Sequence, residues 1–251
     1  MEATVRGNVP KTLQTIAYIS IPDSADLEYL LWDLQDAIAA YARLSGTSLP
    51  RPVDLGTGDG VSAVDGIVLA VEDALDNEEM AAVEQVFDCL EGVETRIYVI
   101  VQAAYGSAEQ AHVAVGRLRE ACEHRGLSWC GGVIACTGSG IAALRRSPRM
   151  GLLRRSLSEA IDKLVGAVRM GCSVEHAQRL GGGNADDVDT DGMVYAEPAL
   201  PAPIWHIAMK YLGSRSYILI NKLPSQQPHA SAQQADPGAM PRWRDSSTAR
   251  R

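Results

Sequence analysis

Runs of branched apolar residues alternate with amphipathic helical segments along most of the chain, and this alternation constrains the fold more than any other feature. The clear β-rich runs are Thr15–Ile21, Val64–Glu72, Arg96–Ala104 and Ser128–Thr137, and a degenerate strand is predicted around Val53–Leu55. Nearly continuous apolar runs are typical of strands that are covered on both faces. Strands and helices that alternate at the spacing of a βαβ unit, about 30 residues or more, indicate a parallel sheet with right-handed crossovers. We therefore predict an α/β fold, a doubly wound parallel sheet in a three-layer α/β/α arrangement.

The periodic pattern ends after Gly171, and this divides the chain into three predicted parts. Residues 12–172 are predicted to form the doubly wound domain. Residues 173–223 are predicted to form a linker followed by a C-terminal helical appendage, with "IWHIAMKYLGSRSYILINK" as its helix. Residues 224–251 are rich in Pro, Ala, Gln and Ser and carry too little apolar surface to fold, so we predict a disordered tail.

The formal net charge of −8 argues against partners that require an excess of Lys and Arg. Nucleic acids and anionic membranes both reward clustered basic residues, so neither is predicted as a partner. A local cluster of five arginines between Arg145 and Arg155 is interpreted as a solvated helix face. Five cysteines without a CxxC motif are typical of reduced thiols, and no window holds the ~18 apolar residues of a membrane span. A cytoplasmic protein is therefore predicted.

An acidic stretch, Asp187–Val194 ("DVDTDGMV"), matches part of a calcium loop. Its aspartates occupy positions 1, 3 and 5 of such a loop and Gly192 occupies position 6, but position 12 holds Pro198 instead of the bidentate Glu. A solvated acidic linker is the favoured interpretation, with a calcium site as a minor alternative, and no metal site is predicted. The five histidines are scattered and none is close in sequence to a nucleophile, so no catalytic side chain is predicted.

A more specific pattern lies between Val64 and Ile141. A strand ends in a short loop with Tyr and Gly, a helix follows, and "GLSWCGG" then leads into the next strand. This pattern resembles the central stretch of flavodoxin-like NAD(P)H-dependent oxidoreductases of the FMN reductase type, and the resemblance extends over about residues 12–220. It implies a flavodoxin-like fold, FMN held by the loops that follow the strands, NAD(P)H as co-substrate, a homodimer, and hydride transfer through the flavin.

In that family the first loop holds the FMN phosphate at the amino end of the following helix. Here the loop reads "SIPDSADLE", in which Ser20 and Ser24 are the remaining candidate phosphate donors. Asp23 or Ser24 is predicted to cap the helix, and Asp26 and Glu28 fall in its first turn, where the helix dipole favours carboxylates. A carboxylate ~4 to 6 Å from a phosphate costs a few kcal/mol at an effective dielectric constant near 20. A self-capped helix without a ligand is therefore favoured over a phosphate site.

Candidate flavin contacts come mainly from the third loop, "QAAYGSAEQ". The resemblance implies that Tyr105 lies along an edge or face of the flavin and that Gly106 lets the backbone approach the ring. Gln102 and Ser107 are predicted to supply hydrogen bonds, although a surface Tyr in a turn is an equally good interpretation of this loop. The second loop, "EDALDNEE", is acidic, and its composition favours a solvated loop over a flavin contact. In the fourth loop, Gly138 begins a glycine-rich sequence that is a weak candidate for a cofactor contact, and a tight strand-to-helix turn is favoured there.

Two functions remain open. The leading one is a flavodoxin-like NAD(P)H-dependent flavin oxidoreductase, in which the protein positions the nicotinamide against flavin N5 and the cofactor does the chemistry. The alternative is a degenerate relative that has lost FMN and serves as a dimeric, non-catalytic binding or accessory protein. The acidic first and second loops favour the alternative, and the third loop favours the enzyme. The sequence does not indicate the electron acceptor, whether a small molecule or a protein.

Overall fold

A computed structural model of the chain describes residues 10–55, 64–90, 92–184 and 187–220. Within these residues six parallel strands form one sheet: β1 (Thr15–Ile21), β2 (Arg51–Pro52), β3 (Gly66–Glu72), β4 (Arg96–Gln102), β5 (Ser128–Ala135) and β6 (Met193–Ala196). The strands lie in the order β2-β1-β3-β4-β5-β6. The first five follow the flavodoxin-like order of doubly wound proteins, and β6 extends the sheet by one strand. The predicted fold class is confirmed, whereas the predicted tail, residues 224–251, lies outside the described residues.

The described helices lie on both faces of the sheet. In chain order they are α1 (Ala25–Ser45), α2 (Asn77–Asp88), α3 (Glu109–His124), α4 (Arg155–Met170), α5 (Val174–Leu180) and α6 (Ala202–Ile220), with a 3₁₀ helix at Ile141–Arg146. One apolar core lies between the sheet and helices α1 and α4, and a second lies between the sheet and helices α2 and α3. These two cores make the three-layer α/β/α arrangement that the sequence predicts. None of the helices in the described ranges is long and apolar enough to cross a membrane.

Helix α1 is positioned by its amino-terminal cap and by one apolar stripe. The Ser24 hydroxyl accepts a hydrogen bond from the backbone N–H of Leu27, which confirms Ser24 as the cap. The stripe consists of apolar residues spaced three or four apart that are buried against the sheet: Leu27, Leu30, Leu31, Leu34 and Ile38. Gly46 ends the helix in the left-handed conformation, at φ 65°. The cap and the stripe together place the amino end of α1 beside the carboxyl end of β1.

Both edge strands differ from the sequence predictions. β2 pairs with β1 at Arg51 and Pro52, immediately before the predicted segment Val53–Leu55, and the N–H of Val53 also donates to the carbonyl oxygen of Ile16 at 3.0 Å. Pro has no backbone N–H, and a sheet tolerates it on an edge strand of this kind. β6 lies in the stretch that was predicted to be a linker, so the sheet continues beyond residue 172. A strand of only four residues, "MVYA", carries too little periodicity to be recognised in the sequence.

Two glycines allow β5 to pair on both of its sides. At Gly132 a Cβ would lie 1.7 Å from the carbonyl oxygen of Val99 on β4, next to the register shift between Ile97 and Val99. At Gly131, whose φ is 81°, a Cβ would lie 2.2 Å from the carbonyl oxygen of Gly192, which precedes β6. A side chain at either position would force the backbones apart. The last three strands of the sheet therefore depend on this glycine pair.

The arginine cluster is only partly the solvated helix face that the sequence predicts. Its exposed members are Arg145, Arg146 and Arg155, whereas Arg149 and Arg154 pair with Asp33. Arg154 is only 3% exposed and donates a 2.7 Å hydrogen bond to Asp33 Oδ1, and Arg149 pairs with the same oxygen. Arg149 also contacts Asp162 at 2.7 Å. Burial raises the pKa of Asp162, Arg149 lowers it and Asp33 raises it, and the result lies above the ordinary value. For Arg149 and Arg154 the prediction was wrong, because the acid that neutralises them, Asp33, lies far away in sequence, on the buried face of α1.

Candidate functional site

A cleft of about 300 Å³ lies at the carboxyl ends of β1, β3, β4 and β5. Its walls come from the loops that follow these strands: Ser24, Ala25, Asp26, Glu72, Asp73, Gln102, Ala103, Ala104, Gly138 and Ser139. Ligands of doubly wound proteins bind at this edge of the sheet, where the strand order reverses between β1 and β3. Three of these lining residues are carboxylates and none is Lys, Arg or His. The cleft is therefore the candidate site, and it is acidic.

Asp26, in the first turn of α1, joins the first loop to the fourth. Its Oδ2 accepts the backbone N–H of Gly140 at 2.6 Å, and its Oδ1 accepts the backbone N–H of Ala142 at 2.8 Å. Gln102 Nε2 donates a third hydrogen bond to Asp26, at 3.3 Å. Converging backbone N–H groups are the donors that proteins use to bind anions. Here a carboxylate of the chain itself takes the place of the anion.

The two serines predicted to hold a phosphate lie in different places. Ser24 lines the cleft, but its hydroxyl accepts the N–H of Leu27 at 3.3 Å as the cap of α1. Ser20 lies near the end of β1, paired with Ala70 of β3, and is not among the residues that line the cleft. The predicted self-capping of the first helix is therefore correct for Ser24. Asp26 lies in the first turn of the helix, as predicted, and its carboxylate contacts the fourth loop.

The acidic second loop is partly structural and partly available to a ligand. One Asp73 oxygen accepts the backbone N–H of Ala104 at 2.9 Å, which ties the second loop to the third. Asp76 and Glu79 form a capping box at the start of α2. The Glu72 side chain, by contrast, makes no hydrogen bond or ion pair with any residue in the described ranges. It is the carboxylate of the cleft that is not used by the fold.

Gln102, the last residue of β4, is 7% exposed and lines the cleft. Its Nε2 donates to Asp26 at 3.3 Å and to the carbonyl oxygen of Gly138 at 3.0 Å. Because both neighbours are acceptors, this orientation of the amide is fixed. Its Oε1 is buried and has no hydrogen-bond donor within the described part of the chain. A buried acceptor without a donor costs about 1–3 kcal/mol, so Oε1 is a group that a ligand in the cleft would satisfy.

Tyr105 contacts the C-terminal helix and is not among the residues that line the cleft. Its hydroxyl donates to the carbonyl oxygen of Leu200, and its ring centroid lies 5.5 Å from that of His206 and 6.4 Å from that of Trp205. Helix α6 is held in this position because the Trp205 indole N–H donates to the carbonyl oxygen of Thr137 at 2.8 Å. With α6 in place, Tyr105 does not offer a platform to a flavin.

The other predicted residues of the third and fourth loops serve the backbone. Gly106 has a φ of 64°, and its N–H donates to the carbonyl oxygen of Cys136 at 3.1 Å. The N–H of Ser107 donates to the carbonyl oxygen of Ala104 at 3.2 Å. Neither of these two residues lines the cleft, whereas Gly138 does. Gly138 has a φ of 68°, and its carbonyl oxygen accepts a hydrogen bond from the side-chain amide of Gln102. The fourth loop is thus the tight turn that the sequence favours.

A second polar cluster lies beside β6. Asp189, Asp191 and His112 are close enough together to hold one ion. Asp187, the first residue of the partial calcium loop, does not join them, because its carboxylate pairs with Lys163 at 2.7 Å. Asp189 Oδ1 accepts two backbone N–H groups of its own loop, and Asp191 pairs with an arginine of α3 at 2.8 Å. The loop therefore does not gather the ligands of a calcium site, and its aspartates hold the chain in position before β6.

The residues of the cleft do not fit FMN as the resemblance would place it. A phosphate at the first loop would lie beside the Asp26 carboxylate in the first turn of α1, where the N–H of Leu27 is already taken by the Ser24 hydroxyl. It would also meet two further carboxylates, Glu72 and Asp73, and two like charges 4 Å apart repel by ~4 kcal/mol at an effective dielectric constant of 20. No aromatic residue is among those that line the cleft, so the flavin ring would have no stacking partner there.

Sequence reasoning found part of this site and missed the acidic part. Ser24, Gln102 and Gly138 were predicted as cofactor contacts, and all three line the cleft. Glu72 and Asp73 were assigned to a solvated loop, although residues directly after a strand of a parallel sheet converge with those of the next strand. That positional rule was the signal that would have placed them in the site. The contact of Asp26 with the fourth loop had no signal in the sequence.

The strand order and the cleft together define the class of the molecule: a flavodoxin-like α/β protein with an acidic strand-end cleft. No protein-family model matches the sequence, and no curated protein matches it. A solved oxidoreductase structure from Corynebacterium diphtheriae is similar at 18% identity and a TM-score of 0.44, over 64% of this chain and 97% of that one. A short-chain flavodoxin associated with a PDU bacterial microcompartment is similar at 12% identity and a TM-score of 0.34, over 48% of this chain and 81% of that one. Both similarities are weak, so the fold assignment rests on the strand order.

Proposed function

We propose that this chain is a flavodoxin-like binding protein whose strand-end cleft does not hold FMN. One observation carries the proposal: the Asp26 carboxylate accepts the backbone N–H groups of Gly140 and Ala142 and so takes the place of an anionic ligand. A phosphate that displaced the Asp26 carboxylate from these two N–H groups would leave the carboxylate without its hydrogen bonds, and this cost opposes the entry of a phosphate. This is the second of the two functions that the sequence leaves open.

The surroundings of the cleft support a binding role over a catalytic one. Burial raises the pKa of the Cys136 thiol to about 11, with Glu197 and Asp73 adding to the shift. This thiol, which follows β5, is therefore protonated at neutral pH and does not act as a nucleophile. The carboxylates of Asp26 and Asp73 are engaged by backbone N–H groups, which suits recognition and structure.

Fluorescence titration with FMN tests the proposal. We expect the wild-type protein to leave the fluorescence of micromolar FMN unchanged. Asp26→Asn removes the negative charge that opposes the phosphate, so we expect its FMN affinity to exceed that of the wild type by about tenfold or more. Glu28→Gln is the matched control, because it removes an exposed acid from the same helical turn, and we expect it to behave as the wild type.

Two results would count against this account. A wild-type protein that binds FMN stoichiometrically would contradict the proposed function. An Asp26→Asn variant that is folded, as judged by its thermal unfolding transition, and yet binds FMN no better than the wild type would contradict the role assigned to Asp26.

A flavin oxidoreductase is the second candidate function, and the position of the cleft favours it. The cleft lies at the switch point between β1 and β3, where flavodoxin-like proteins place FMN. This candidate predicts a yellow protein that oxidises NADH or NADPH. A colourless protein that ignores added FMN and both nicotinamide cofactors would exclude it. The homodimer and the cytoplasmic location stay predictions under either function, and light scattering in solution tests the first of them.

A further inference from the structure

We propose, resting on the function proposed above, that the strand-end cleft binds a small organic ammonium compound and that Glu72 is the anion that recognises it. The residues that line the cleft include three carboxylates and no basic side chain. A cleft with low-dielectric walls and one sign of charge concentrates ligands of the opposite sign. The charge of the site therefore selects a cation, and the free groups on its walls indicate which kind.

Glu72 is the carboxylate that remains free for a ligand. Asp26 accepts two backbone N–H groups of the fourth loop, and Asp73 accepts the N–H of Ala104. Glu72 is half-buried, and its carboxylate has no hydrogen bond or ion pair with any residue that the structure describes. A partly desolvated carboxylate forms a strong, charge-assisted hydrogen bond with an ammonium group.

Gln102 supplies the second recognition group. It is the register partner of Glu72 on the neighbouring strand, so the two backbones are ~4.8 Å apart and the two side chains extend from the same face of the sheet. Its buried Oε1 has no donor within the described residues. An ammonium group carries three donors and no acceptor, so one such group can serve both Glu72 and Gln102. A phosphate, which offers acceptors, can serve neither.

The geometry points to an organic cation and not to a metal ion. Among the described residues, the group of His, Cys, Asp and Glu side chains close enough to hold one ion consists of His112, Asp189 and Asp191, outside the cleft. The three carboxylates of the cleft do not form such a group. The cleft volume of about 300 Å³ instead lies at the lower end of the range for small-molecule sites.

Isothermal titration calorimetry with 1,4-diaminobutane tests this inference, with butyrate as an anionic probe of the same chain length. We expect the wild-type protein to bind the diamine and not butyrate. Glu72→Gln keeps the shape of the side chain and removes its charge, and we expect it to weaken diamine binding about tenfold or more. Glu78→Gln removes an exposed acid at the start of α2, outside the cleft, and we expect it to change the affinity by less than about twofold.

Two outcomes would overturn the inference. One is the absence of diamine binding at millimolar concentrations. The other is an equal loss of affinity in Glu72→Gln and Glu78→Gln, which would mean a general attraction to an acidic protein. Thermal unfolding shows whether Glu72→Gln is folded, as expected for a side chain that makes no hydrogen bond in the described structure. FMN titration of the same wild-type sample separates the two proposals. FMN binding overturns the proposed function, whereas a protein that binds neither FMN nor the diamine overturns this inference alone.

Discussion

Two aspartates of α1 hold this helix to segments far away in the chain. Asp26 accepts N–H groups of the fourth loop, and the partner with the shortest hydrogen bond, Gly140, lies 114 residues further along the sequence. Asp33, about two helical turns further along, pairs with Arg154 at a separation of 121 residues. The sequence correctly predicts that Asp26 lies in the first turn of the helix. It does not identify their partners, because no local preference specifies how the segment that follows β5 packs on α1.

At the same scale, Asp65 links stability to pH. Its Oδ2 accepts the backbone N–H groups of Gln14 and Thr15 at 2.8 and 3.1 Å. Burial raises the pKa of Asp65. These two hydrogen bonds, the one from the Thr15 hydroxyl and the nearby Lys11 together lower the pKa by more than burial raises it, so it lies below its ordinary value of 3.8. A lowered carboxyl pKa stabilises the fold above the unfolded-state pKa, and this stabilisation is lost as the pH falls through the folded-state value.

We therefore expect Asp65→Asn to lower the free energy of unfolding at pH 7, since the amide accepts the same hydrogen bonds more weakly than the carboxylate does. The difference from the wild type should shrink as the pH falls below about 4. Urea unfolding at several pH values measures both effects. If the difference in unfolding free energy between the wild type and Asp65→Asn does not depend on pH, the negative charge of Asp65 is not its source.

At the scale of elements, the pairing of β5 with β4 requires a residue without a side chain at Gly132. A Cβ at this position would lie 1.7 Å from the carbonyl oxygen of Val99. We expect Gly132→Ala to lower the free energy of unfolding by about 3 kcal/mol or more, because the two strands have to separate. Gly116→Ala is the matched control at an exposed position of α3, where a Cβ has no neighbour within 4 Å, and it should raise stability by about 1 kcal/mol. Equal effects of the two changes in denaturant unfolding would refute this.

The elements that the sequence predicts well are those that bury a continuous apolar run. β3 and β4 are buried along almost their full length, and their runs are visible in the sequence for that reason. β2 is exposed, and β6 is largely buried but only four residues long, so neither edge strand leaves a long apolar run and their bounds could not be predicted. The candidate site follows the same division. Its position at the strand ends could be predicted from the fold, whereas the packing of Tyr105 against α6 depends on tertiary contacts alone.

At the scale of the whole molecule, burial divides the five cysteines into two sets. Cys89 is exposed, and the buried ones are Cys122, Cys130, Cys136 and Cys172. Burial raises the pKa of Cys130 to about 12 and contributes most to the raised pKa of Cys136, so neither thiol ionises at neutral pH. We expect dithionitrobenzoate to titrate one thiol rapidly in the native protein and all five in denaturant. Cys89→Ser should abolish the rapid phase, and a rapid phase that persists in this variant would show that the buried set is accessible.

The bridge from Asp26 to the fourth loop also sets how the folded molecule responds to anions in solution. The carboxylate is covalently attached to the chain, so its effective concentration next to these N–H groups is fixed by the fold and does not fall on dilution. A free phosphate has to compete with this tethered anion, which is present at an effective concentration of roughly millimolar or higher. Changing the amount of protein therefore leaves the competition unchanged. Only a movement of the fourth loop away from α1 would release these donors to another anion.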